Sequence, residues 1–97
     1  MIEHVVLFKI KAGVTPDKIM TMIKALEDLQ NEIPQLAGMH AGINFSDRNK
    51  GFGVMLVSRF KTKEDLEIYA VHPAHKRVIA EYIQPIREDI IVGDLEY

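Results

Sequence analysis

Residues 5–8, 54–57 and 90–92 are each apolar at consecutive positions, so neither face of the strands they would form is polar. A sheet with one wet face reads as a clean apolar–polar alternation, and these stretches do not. Strands of this kind need apolar cover on both sides. Any fold for this chain must supply it.

The rest of the chain supplies cover for one side. Residues 2–11 are a strand, with His4, Val6, Phe8 and Ile10 on one face. Thr15 then stands as a helix cap, Pro16 suits the first helical position, and Asp17 complements the positive helix end. Ile19, Met22, Ile23, Leu26, Leu29 and Ile33 recur at helical spacing until Pro34 ends the run. Residues 38–45 alternate again, with Met39, Ala41, Ile43 and Phe45 on one face. The turn formers of residues 46–51 join them to a strand at 52–60.

Thr62 and Asp65 resemble a capping box, which starts a short helix running to about Tyr69. The His72–Pro73 step breaks it, because the residue before proline avoids helical geometry. Pro73 opens a second helix, with Ile79, Tyr82 and Ile83 as its stripe and Pro85 as its end. Residues 87–97 are the last strand. The order predicts an α+β, ferredoxin-like βαββαβ fold with an antiparallel sheet. Its helices cover one sheet face. The other face is expected to be covered by a second copy, giving a homodimer that encloses a shared dimeric α/β barrel.

Ninety-seven residues predict a single domain spanning 1–97. The net charge of −2 excludes a sequence-wide basic field that would attract nucleic acid or an anionic membrane surface. No apolar run reaches a membrane-spanning length. The first residues read as a strand and not as a secretory signal. The sequence has no cysteine, which rules out disulfides and thiolate chemistry and fits a cytoplasmic setting.

Chemistry concentrates in Tyr69-Ala70-Val71-His72-Pro73-Ala74-His75. With Pro73 as the first helical residue, His72 is the cap and His75 lies in the first turn. The positive helix end disfavours an imidazolium there, so His75 is expected to stay neutral and able to accept a proton. Tyr69 offers a donor for a developing oxyanion. His4 is placed to point at the same helices. The same residues also fit a purely structural role, with His72 as a cap and Tyr69 as a half-buried core tyrosine, and spacing alone leaves both readings open. His72 and His75 have no evident third partner for a metal, and no glycine-rich phosphate loop is present. Neither a cofactor nor a metal is expected.

His4-Val5-Val6-Leu7-Phe8-Lys9, residues 60–66, the Y-x-x-H-P-x-H element at 69–75 and Val92-Gly93-Asp94 together resemble the stress-responsive α/β-barrel domain (Dabb) family. The resemblance spans essentially the whole chain. It implies a ferredoxin-like fold that dimerises into an α+β barrel. The family includes plant stress proteins without assigned chemistry and a plant polyketide cyclase that performs an aldol condensation. By position, the resemblance implies Tyr69 and His75 as an acid–base pair and His4 as a pocket residue. Val6, Phe8, Ile23 and His72 complete the expected substrate-binding set. The expected function is binding of a small hydrophobic molecule between helices and sheet. The alternative is a cofactor-independent cyclase or lyase, with His75 as general base and Tyr69 as acid. A weaker alternative, drawn from other dimeric α+β barrels, is a haem- or quinol-handling protein with His75 as iron ligand.

Overall fold

The computed structural model describes residues 1–97. Four strands and three helices follow in order: β1 (Ile2–Ile10), α1 (Pro16–Asp28), β2 (Gly38–Ile43), β3 (Val54–Phe60), α2 (Lys63–Val71), α3 (Pro73–Val78) and β4 (Arg87–Glu96). A 3-10 turn (Leu29–Asn31) extends α1, and a π turn (Ile79–Ile83) extends α3. The sheet order is β2-β3-β1-β4, with every neighbouring pair antiparallel. This is the expected ferredoxin-like arrangement. No helix is long and apolar enough to cross a membrane.

Register explains which face is buried. Val6 pairs with Leu56 on one side and Val92 on the other, and Phe8 stands between Val54 and Ile90. Val6, Phe8, Leu56 and Phe60 are buried and form one core with Met22, Leu26, Leu29, Tyr69 and Val78 from the helical layer. The opposite face carries Val5 beside Val57, and Leu7 between Met55 and Ile91. No helix covers it. Ile91 is 49% exposed and Leu95 62% exposed. The apolar sequence at 5–8 and 54–57 thus resolves into one buried face and one open apolar face.

Several boundaries differ from the sequence reading for local reasons. The apolar stripe through Ile33 predicts a longer first helix, but regular helix ends at Asp28 and a 3-10 turn carries Leu29 into the core. Thr15 makes no side-chain capping bond; Pro16 and Asp17 carry that start. Thr62 does cap α2, its hydroxyl accepting from the Asp65 amide at 3.1 Å. β2 stops at Ile43, which leaves Phe45 96% exposed. β4 contains an irregularity: Lys9 pairs with Asp89, but Ile10 pairs with Arg87, so Glu88 is passed over. A bulge of this kind shifts every side chain beyond it to the other face.

Candidate active site

The site lies where β1, α2 and α3 meet. His4 is on the helix-covered face of β1, and its Nδ1–H donates to the Asp94 carboxylate across β4 at 2.5 Å. The ring therefore presents its other nitrogen away from that pair. Tyr69 lies in the last turn of α2 with 1% of its surface exposed, its ring 5.1 Å from Phe60 and 6.4 Å from His4. The Tyr69 hydroxyl is buried and has no protein hydrogen-bond partner. Burial holds the phenol protonated by pushing its pKa above the ordinary tyrosine range.

His72 and Pro73 set the geometry between α2 and α3. His72 has extended backbone, and its Nδ1 accepts from the Ala74 amide at 3.0 Å. Its ring is committed to capping α3. That cap turns the chain so that His75 folds back over Tyr69, with ring centroids 4.2 Å apart. His75 Nδ1 lies 3.1 Å from the Ala70 carbonyl oxygen. A carbonyl only accepts, so Nδ1 carries the proton and Nε2 is the free acceptor of the neutral ring. Burial lowers the His75 pKa most; the Ala70 bond opposes this, and the His4 and His72 rings add to the lowering. The neutral state expected from helix position is thus favoured chiefly by desolvation.

A cavity of about 250 Å³ opens beside these rings, and eight of its eleven lining residues are hydrophobic. His4 and His75 stand on its wall together with Val6, Phe8 and Leu26. The π turn supplies Ile79 and Ile83, and β4 supplies Arg87, Ile90 and Val92. Of the residues expected at a site, the fold therefore gathers His4, Val6, Phe8 and His75 on one cavity. Tyr69 lies behind the two histidine rings. Ile23 is 5% exposed within the core and His72 is spent on its cap; neither lies on the cavity wall.

Sequence reasoning missed Ile79 and Ile83 as lining residues, and Arg87 altogether. The Gln84 amide reaches the Ile79 carbonyl at 2.8 Å, five residues back. That π turn re-aims an apolar stripe that reads as ordinary helix core. Pro85, two residues beyond its end, was the only local cue that the helix closes irregularly.

Known proteins share this architecture. Two stress-response A/B barrel domain-containing proteins of Arabidopsis thaliana are each 38% identical over 97% of the chain. The chain spans 36% of the length of one and 46% of the other. Olivetolic acid cyclase of Cannabis sativa is 26% identical over 76% of the chain and 75% of that enzyme. Among solved structures, an Arabidopsis thaliana protein superposes with a TM-score of 0.90 at 30% identity, covering 100% of this chain and 95% of that one. A dimeric ferredoxin-like protein of unknown function from Thermobifida fusca gives 0.86 at 26% identity, covering 99% and 90%. The sequence profile of the stress responsive A/B barrel domain matches residues 2–97, and the chain belongs to that family.

Proposed function

We propose that the protein works as a homodimer and binds a small apolar molecule in the cavity between its helices and sheet. The observation that carries this reading is the cavity itself: about 250 Å³ of space with a mostly hydrophobic wall and two histidines at one end. Sites for small molecules have this character, apolar with a few convergent polar groups. The open apolar face around Val5, Leu7, Val57 and Ile91 supports pairing of two copies, as does the dimeric state of the Thermobifida fusca relative. The test is thermal unfolding with added 1-octanol. Saturating ligand raises the stability of the native protein by about 2–3 kcal/mol at a hundredfold excess over Kd. Filling the cavity by Ile79→Trp abolishes that gain. Equal stabilisation of both proteins overturns the reading.

A second reading has its own support in the Tyr69–His75 arrangement and in the likeness to olivetolic acid cyclase. Here the bound molecule carries a carbonyl. His75 Nε2 takes a proton from the carbon next to it, and the electron pair moves onto the carbonyl oxygen. The Tyr69 hydroxyl, unpartnered behind the histidine rings, donates to that oxygen once those rings move aside to admit it, after which the enolate carbon attacks a second carbonyl or the proton returns. A neutral imidazole and a protonated phenol are the states such a step needs. Proton exchange is its minimal assay: in deuterated water the protein exchanges the α-hydrogens of 2-octanone, and His75→Ala does not. Equal rates for the two proteins exclude this chemistry.

A further inference from the structure

We infer that the cavity is built for an amphipathic carboxylate, an apolar body ending in an anion held by Arg87. This rests on the reading that the cavity binds a small apolar molecule, and adds a charge to it. The inference starts from the bulge in β4. Phe8 pairs with Ile90 and Lys9 with Asp89, so simple alternation would set Glu88 opposite Ile10, on the cavity side. The bulge passes over Glu88 and sets Arg87 opposite Ile10 instead. Glu88 does not line the cavity, and its carboxylate lies 4.0 Å from the Lys9 ammonium. The irregularity exchanges an anion for a cation on the cavity wall. Bulges commonly re-aim a side chain beside a site.

The cation is left without a counter-charge. Arg87 is half-buried and makes neither an ion pair nor a side-chain hydrogen bond within the protein. No Asp or Glu lines the cavity. The nearby acids are engaged elsewhere: Asp94 with His4, Asp89 with the Ile90 amide at 2.8 Å, and Glu88 with Lys9. A half-buried guanidinium at the edge of an apolar cavity favours an anion, and its planar fork matches a carboxylate at two points. The two ends of the cavity then divide the work, with Arg87 on the anion and His4 and His75 on the opposite part of the molecule.

The test compares octanoate with 1-octanol at pH 7.5 by titration calorimetry. The native protein prefers octanoate by about tenfold or more, the range of one charge-assisted hydrogen-bonded pair. Raising the salt concentration narrows that preference. Arg87→Met, which keeps the apolar stem, brings the two ligands to near parity, and Arg87→Lys restores part of the difference. A native protein that binds octanol as well as octanoate overturns the Arg87 inference and leaves the cavity reading standing. A native protein that binds neither removes both. A preference that survives in Arg87→Met assigns the anion to another group and overturns the inference, and the salt series on the native protein stands if that variant does not fold.

Discussion

The rings of Tyr69 and His75 lie 4.2 Å apart with their planes inclined at 36°, although one residue lies in the last turn of α2 and the other in α3. The His72–Pro73 step makes this contact. It ends one helix and starts the next within two residues, and the tight turn stacks the second helix's histidine on the first helix's tyrosine. The contact is the centre of the site, and its parts separate by experiment.

Tyr69→Phe keeps the ring packing and removes a buried hydroxyl that has no protein partner. An unsatisfied buried hydroxyl costs about 1–3 kcal/mol. The variant is therefore as stable as the native protein or more stable by about 1 kcal/mol in urea unfolding, while α-proton exchange falls. A loss of stability would mean that the hydroxyl has a partner in solution.

His75→Ala tests the base. General base catalysis contributes about 10²–10⁴-fold, and exchange of 2-octanone hydrogens falls by that factor. The histidine is partly exposed and bonds only one carbonyl, so the melting temperature changes little. Global unfolding of the variant would make the residue structural.

Acid destabilises the fold through the same group. The His75 pKa is lowered in the native state, so below the ordinary histidine value of about 6.5 the unfolded chain binds more protons than the native one. Stability then rises with pH across the window from the native pKa up to about 6.5 and is flat in this respect above it. Urea unfolding of the native protein and His75→Ala from pH 5 to 8 checks this, because the variant loses that part of the slope. Carbon-detected titration of the His75 ring gives the pKa directly, below that of a model imidazole.

Leu7 sits between Met55 and Ile91 at the middle of the open sheet face. Leu7→Lys would place an unpaired charge in the proposed dimer contact, which costs roughly 3–5 kcal/mol when buried. Sedimentation equilibrium is expected to give twice the chain mass for the native protein and the single chain mass for the variant at micromolar concentration. A monomeric native protein would remove the pairing.

The order of elements was legible because the helical segments are punctuated in the sequence. Pro16, Pro34, Thr62, Pro73 and Pro85 punctuate the helical segments, and the doubly apolar strands required cover on two sides. His4 and His75 were legible because strand alternation and the helix start orient them. The rest depended on irregularities that pattern reading averages away. Arg87, Glu88 and Asp89 are all polar, so nothing in the sequence marks where the bulge falls or which of them meets the cavity. Ile79 and Ile83 fit a regular stripe equally well, and only the π turn turns them to the cavity wall. His72 looked like a site residue because of its place in the motif, but its ring is consumed by the Ala74 amide.

Isoleucine methyl resonances report on the cavity itself. Ile79, Ile83 and Ile90 line it, while Ile43, Ile68 and Ile91 are exposed elsewhere. During titration with 1-octanol, saturable shifts confined to Ile79, Ile83 and Ile90 are the predicted result. Shifts that begin at Ile43 or Ile91, or none that saturate, would contradict a ligand site between the helices and the sheet.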